Sequence, residues 1–307
     1  MSNIIIDAVY TWVDMSDQKW LDNYRKTTGR YPESMRYKNY GELEFSVKLL
    51  IKHCKFIRNI YIVTDNQTPS WYETDKEKYP NVFIIDHSII LDNLCSHPTF
   101  KSDSIEAYLY KIPDLSEYYL YLNDDTFIGN VCTEYNFIDR KTLLPIARFK
   151  QVPLSDQMKA AAIAGRIYPR AANLTNAMNC VKRAYKIHHN KTPIHQVVIL
   201  RKSMSELAWK LFPNELTKSV RIPIRIPIND TISFTLLSML LGITTGKMKT
   251  EIGPYSIKIY DNYSLSKGGA TFNLNRILAQ RPQLFCINDV NDYNYRLFDY
   301  FTKVYIT

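Results

Sequence analysis

A chain of 307 residues with 46% hydrophobic and 22% charged side chains has the composition of a soluble globular protein, enough for one big domain or two modest ones. Its formal charge of +9 favours polyanionic partners, yet basic clusters such as Lys182-Arg183 and residues 221–225 are short and carry no nucleic-acid motif, so nucleic acid is not an expected partner. Five scattered cysteines without a CxxC pair argue against a disulfide framework or a cysteine zinc site, and no run of about 18 apolar residues exists to cross a membrane.

In chain order, residues 4–13 read as a strand ending at Asp14, and no basic segment with an apolar signal core precedes it. Residues 41–53 place Leu43, Val47, Leu50 and Ile51 at helical spacing. A second strand over 59–64 ends at Asp65, and a third over 82–85 ends at Asp86. A helix over 103–112 follows, with Asp103 and Glu106 spaced as a capping box. Then comes the run Tyr118-Tyr-Leu-Tyr-Leu-Asn, a strand by composition, which stops at Asp124-Asp125 ahead of the turn glycine Gly129. From 131 to 195 the pattern weakens into polar loops, an Ala-rich segment at 159–165 and a helix over 171–186. Further helices are expected at 204–212, near Thr231 and at 272–280, then a strand over 284–287 ending at Asn288-Asp289 and a closing amphipathic helix.

Strands alternating with helices predict an α/β fold, a mostly parallel sheet with helices on both faces, with a helical insertion or cap at 131–190. In such sheets ligands collect beyond the carboxyl ends of the strands. Asp14, Asp65 and the Asp124/Asp125 pair all stand at such ends and can meet along one edge. Paired carboxylates there suit Mg²⁺ or Mn²⁺ and the phosphate groups these ions accompany. Asn-Asp-Asp is also plain turn chemistry, so both readings stand at this point.

Four blocks carry a resemblance. Ile6-Asp-Ala-Val-Tyr-Thr-Trp-Val-Asp14-Met-Ser-Asp17 resembles the first signature region of the Stealth family. Asn39-Tyr-Gly-Glu-Leu43, Asn59-Ile-Tyr-Ile-Val-Thr-Asp-Asn-Gln67, Pro98-Thr-Phe100, Ser104-Ile-Glu106 and Tyr121-Leu-Asn-Asp-Asp125 are similar to its second region. Residues 195–213 with Arg225, and Phe285-Cys-Ile-Asn-Asp289, resemble the third and fourth more weakly. The family comprises capsular polysaccharide phosphotransferases and the GlcNAc-1-phosphotransferase of lysosomal enzyme targeting. The resemblance implies a GT-A-like catalytic domain spanning 1–307, with residues 1–130 as its nucleotide-sugar-binding half and 191–307 completing the site. It implies a UDP-sugar donor, a glycan or polysaccharide acceptor, transfer of a sugar 1-phosphate and release of UMP.

The same resemblance assigns roles. Glu106, Asp125, His195 and Arg225 become catalytic candidates, with Glu106 or His195 deprotonating the acceptor and Arg225 gripping phosphate. Asp124, Asp125 and Asp289 are the expected metal ligands. Tyr10, Thr11, Trp12, Val13 and Asp14, with Asp65, Asn66, Gln67 and Asn123, are the expected nucleotide-sugar wall. Met15 stands where the family has glycine, Tyr108 and Tyr110 replace two histidines, and Val198 and Arg201 replace a His and an Asp. These departures lie mainly on the acceptor side. They leave open a GT-A glycosyltransferase that releases UDP, and a degenerate binder of glycan or nucleotide. A cytoplasmic location, with peripheral attachment to an anionic membrane, is the expectation from the reduced cysteines and the positive charge.

Overall fold

A computed structural model of the protein describes residues 4–33, 37–163, 169–224, 230–255, 260–264, 270–288, 290 and 297–306. Five strands make the central sheet: β1 (Ile6–Thr11), β2 (Ile57–Thr64), β3 (Val82–Asp86), β4 (Tyr118–Asn123) and β7 (Val198–Arg201). Their spatial order is β3-β2-β1-β4-β7. The first four run parallel and β7 runs antiparallel to β4, so the sheet is mostly parallel, as the alternation predicts. In β1 every residue from Ile6 to Tyr10 is buried, the pattern of a strand covered on both faces.

A second sheet joins β5 (Thr126–Ile128), β10 (Leu284–Asn288) and β9 (Tyr260–Ser264). A two-stranded ribbon pairs β6 (Ile146–Phe149) with β8 (Lys249–Ile252). The run after Asp124-Asp125 is therefore a further strand rather than the start of a turn. β5 is only three residues long, too short to display a period, and it acquires strand geometry from β10, which it pairs antiparallel with Cys286 opposite Thr126. Gly129 closes this ladder: a Cβ there would lie 2.5 Å from the Pro282 carbonyl oxygen and 2.7 Å from the Phe285 ring. Close approach of backbones, more than turn formation, requires the glycine.

The helix Glu42–His53 ties the two sheets together. Leu43, Val47 and Leu50 enter the large core around the central sheet, while Phe45 and Leu49 enter a second core with Phe127, Phe285, Phe298 and Phe301. One helix with two apolar faces thus spans the seam. Ser46 on the same helix donates to the Thr126 carbonyl at 2.7 Å and meets the Tyr10 hydroxyl at 2.9 Å.

Helices at Leu154–Ile163 and Pro169–Tyr185 fall in the expected insertion between β6 and β7. The helix expected over 103–112 instead splits into Ser102–Glu106 and a 3₁₀ turn, Leu109–Lys111. The Ala107 carbonyl, which a continuing helix would offer to Lys111, accepts the Trp209 indole N–H at 2.7 Å, and the Lys111 N–H turns to the Tyr108 carbonyl at 2.9 Å. The expected capping box is not the one used. Lys101 is the N-cap, without a side-chain cap bond, and Asp103 accepts from the Asn173 amide at 3.1 Å. All five cysteines are free and buried. Among the described residues no helix is long and apolar enough to cross a membrane.

Candidate active site

From β1 the chain proceeds outward to β2 and β3 on one side, while β4 lies on the other, so the segments leaving the carboxyl ends of β1 and β4 depart to opposite sides, the switch point at which a crevice forms. Thr11 stands opposite Asn123 at that point. A cavity of about 530 Å³ opens there, walled by Thr11, Trp12 and Val13 at and just beyond the end of β1, by Asn123, Asp124 and Asp125 at and just beyond the end of β4, and by Lys38, Glu42 and Asn288. The indole Nε1 of Trp12 is buried and meets no hydrogen-bond acceptor among the described residues.

Three carboxylates crowd this crevice. Burial pushes Glu42 up to about 8, helped by the charges of Asp124 and Asp125. Burial and then Asp125 push Asp124 up to about 7, and burial pushes Asp125 up to about 6 against a hydrogen bond from Cys286. The Asp125 Oδ1 atom is buried and meets no donor among the described residues. The amino end of the same strand shows the opposite arrangement. Asp7, fully buried, takes Arg58 in a fork at 3.0 and 2.7 Å together with the Asn59 and Ser116 N–H groups at 3.1 and 2.7 Å. A structural carboxylate in this fold is fully compensated, whereas Glu42, Asp124 and Asp125 make no ion pair with a Lys or Arg among the described residues, and the charge of Arg170 only partly offsets the burial of Asp125. All-oxygen donors with an orphaned oxygen fit a divalent cation such as Mg²⁺ or Mn²⁺.

From Asp125 a chain of polar contacts runs behind the crevice. The Cys286 thiol lies 3.5 Å from Asp125 Oδ2 and 3.2 Å from His195 Nδ1, which is itself 3.9 Å from that oxygen. His195 Nε2 meets the Asn123 amide at 3.3 Å. The Tyr121 hydroxyl lies 3.0 Å from both Asn123 Oδ1 and Thr11 Oγ1, and 3.1 Å from Glu106 Oε1. Glu106 and His195 line a smaller cavity of about 110 Å³ with Asp103, Tyr121 and Arg170, and this cavity shares Ser102 and Asn123 with the larger one. Asp125, His195 and Glu106, which stand far apart in sequence, therefore gather in one place. Arg225 and Asp289 lie outside the described residues.

The expected nucleotide wall divides. Thr11, Trp12, Val13, Asp65 and Asn123 line the larger cavity. Tyr10 does not: as the residue before Thr11 on a strand it points to the other face, where it is fully buried with its hydroxyl on Ser46. Gln67 braces Asp14, accepting its N–H at 3.0 Å and donating to its carbonyl at 2.8 Å. The Asp14 carboxylate takes the Ser16 N–H at 2.9 Å and the Asn39 amide at 3.1 Å, so Asp14 and Gln67 shape the loop after β1. Asn66 lines a neighbouring cavity of about 300 Å³ together with Asp65 and His97. Beside Asp65 stands His87, whose pKa burial lowers to about 4 despite the two nearby carboxylates, Asp65 and Asp86.

Sequence reasoning missed Glu42, Cys286, Tyr121 and Lys38. Glu42 sits inside the block Asn39-Tyr-Gly-Glu-Leu43, but an acid opening a helix reads first as a partner for the helix dipole. Cys286 reads as one more scattered thiol.

A carboxylate-lined crevice at the switch point of a mostly parallel sheet, backed by a histidine, is the kind of site that α/β enzymes use for phosphorylated ligands. Residues 6–32 match the family model described as Stealth protein CR1, conserved region 1, and residues 36–145 match Stealth protein CR2, conserved region 2. The chain is 31% identical over 312 residues to a capsular polysaccharide phosphotransferase of Neisseria meningitidis serogroup B, covering 96% of this chain and 79% of that protein. It is 31% identical over 322 residues to the capsular polysaccharide phosphotransferase fcs1 of Haemophilus influenzae, covering 98% and 84%. It is also 33% identical over 298 residues to the exopolysaccharide phosphotransferase SCO2592 of Streptomyces coelicolor, covering 94% of this chain and 30% of that one. The chain belongs to the Stealth family. Among solved structures it matches the WbbM bifunctional glycosyltransferase apo structure with a TM-score of 0.46 and 10% identity, over 96% of this chain and 49% of that one.

Proposed function

We propose that the protein is a metal-dependent sugar-1-phosphate transferase that builds phosphodiester-linked glycan from a UDP-sugar. Its relatives' names carry the coarse reading, a phosphotransferase of capsular or extracellular polysaccharide. The observation that carries the finer one is the pair of cavities that meet at Ser102 and Asn123. The larger has room for a nucleotide sugar, an indole face at Trp12 and the carboxylates; the smaller has Glu106 and His195.

In this reading Asp124 and Asp125, with Glu42 behind them, hold Mg²⁺ or Mn²⁺, which when bound neutralises diphosphate charge. Lys38, on the wall of the larger cavity, adds a second positive charge. The acceptor hydroxyl enters the smaller cavity and gives its proton to Glu106 or His195. Its oxygen forms a bond to the β-phosphorus, the bond from that phosphorus to the bridging oxygen breaks, and UMP leaves with the electron pair. Asn123 and Tyr121 fix the positions of His195 and Glu106 through the contacts described above.

The test is incubation with a panel of UDP-sugars and an oligosaccharide acceptor, in Mg²⁺ or Mn²⁺ and again in EDTA. The expected result is donor consumption that needs both acceptor and metal. Consumption that persists in EDTA would overturn the metal assignment, and none with any sugar would favour a binding protein without turnover.

A further inference from the structure

The larger cavity borders a second cluster, which shares Asp65 with the expected nucleotide wall and whose histidines the phosphotransfer reading leaves unused. β2 and β3 are parallel neighbours with Thr64 paired to Asp86. The next residue on each, Asp65 and His87, therefore emerge side by side where the strands end. The loop before Pro98 brings in His97. His97 Nε2 lies 3.4 Å and His87 Nδ1 3.9 Å from the same oxygen of Asp65, and one donor atom from each residue falls within 4.8 Å of the others. His87 is only 3% exposed, yet neither of its ring nitrogens has a hydrogen-bond partner among the described residues. A buried imidazole without a partner on either nitrogen is costly unless something absent from the chain satisfies it.

We propose that Asp65, His87 and His97 form a binding site for a borderline divalent transition metal, Zn²⁺ first among them, separate from the carboxylates at the β1/β4 crevice. Two imidazoles and one carboxylate are a common donor set for such ions, and an all-oxygen ion such as Mg²⁺ is poorly served by it. Tetrahedral zinc with bonds of about 2.0–2.1 Å needs donors roughly 3.3 Å apart, so the observed spacing closes with small side-chain movements. The cluster stands between two cavities, Asp65 and His87 lining the larger and Asp65 and His97 the neighbouring one of about 300 Å³, which leaves a fourth position for water or a ligand atom. Its effect is to pin the His97 loop to the sheet. Two and three residues on, Thr99 and Phe100 wall the larger cavity, and Phe100 packs on Trp20 and Tyr24. Metal here shapes the donor side without touching the reacting atoms.

Nothing in this assignment depends on the reaction proposed above, and the experiment separates the two. The metal-stripped full chain is equilibrated with Zn²⁺, freed of excess, and its bound zinc measured by mass spectrometry beside His97→Ala, Cys286→Ser and Asp125→Asn. The His97 side chain is 45% exposed, so its removal takes away one ligand without opening the core. The expected count falls by about one zinc per chain in His97→Ala and is unchanged at this site in the other two. Zinc should raise the thermal midpoint of the parent chain and leave that of His97→Ala unmoved. The Co²⁺ form should show ligand-field bands without a thiolate charge-transfer band. An equal zinc count in His97→Ala, no zinc in the parent chain, or a thiolate band abolished by Cys286→Ser would each overturn the assignment.

Discussion

Asp125 faces the crevice, the Cys286 thiol and His195 at once. Asp125→Asn keeps the shape and removes the charge. Turnover should fall by a factor on the order of 10²–10³, the usual loss when a group that positions or neutralises transferring charge is removed, with the circular-dichroism spectrum unchanged. Glu106→Gln should fall by on the order of 10²-fold if Glu106 is the base, with donor affinity nearly unchanged by equilibrium titration. A drop in donor affinity as large as the drop in turnover would move Glu106 to the donor side instead. At this scale much was legible in advance: the adjacent carboxylates after β4 announce themselves against an aromatic strand. Glu42, His87 and His97 do not, since a helix-opening acid and single histidines each have an ordinary structural role, and only the packing of distant loops sets them beside other charged groups. Tyr10 fails for a simpler reason. Strand residues alternate sides, so a block that resembles a binding signature holds core residues and wall residues in turn.

The seam between the two sheets is the element on which the site depends. Asp124 and Asp125 occupy the step from β4 in one sheet to β5 in the other, and the Ile287 N–H fastens the Asp125 carbonyl at 3.0 Å. Loosening β5 from β10 should therefore loosen the carboxylates. Gly129→Ala, which forces a Cβ into the Pro282 carbonyl, should cost about 1–3 kcal/mol in urea unfolding and lower metal affinity along with stability. A variant with parental stability would mean that β5 and β10 shift apart freely. Phe45→Ala empties the second core and should cost about 3–5 kcal/mol. The four parallel strands of the main sheet were legible because each is an apolar run closed by an acid. The second sheet was not, because β5 is short and β10 read as an isolated strand, set against β5 only by the return of the chain that brings Cys286 opposite Thr126. The break after Glu106 likewise depends on Trp209, a distant indole that takes one helical carbonyl.

For the whole molecule the crowded carboxylates make stability depend on pH, and the proposed metal site would couple that dependence to metal. In the metal-free chain the folded state retains protons on Glu42, Asp124 and Asp125 at pH values where the unfolded chain, with ordinary carboxyl groups near about 4, has lost them. At these three groups the native state then binds more protons than the unfolded one, so their contribution to stability falls as pH rises from about 4 to about 8, offset in part up to about pH 6.5 by His87, which the unfolded chain protonates more readily. Saturating Mn²⁺ should flatten this descent by taking the place of the protons, and Glu42→Gln should make the metal-free chain more stable than the parent at pH 8. Thermal melts at pH 5 and pH 8, with and without Mn²⁺, check both; a metal-free chain that gains stability toward pH 8 would contradict the account. The excess of 39 Lys and Arg over 30 Asp and Glu suits an anionic donor and an anionic phosphoglycan, a long-range attraction that should weaken as salt rises.

The central claim is that the bond broken lies between the two phosphorus atoms of the donor, and not between sugar and phosphate. Identification of the nucleotide released during turnover of a UDP-sugar with acceptor decides it. The roles proposed for the carboxylates, Glu106 and His195 predict UMP, with the sugar joined to the acceptor through phosphorus. Release of UDP with a directly linked sugar would contradict it.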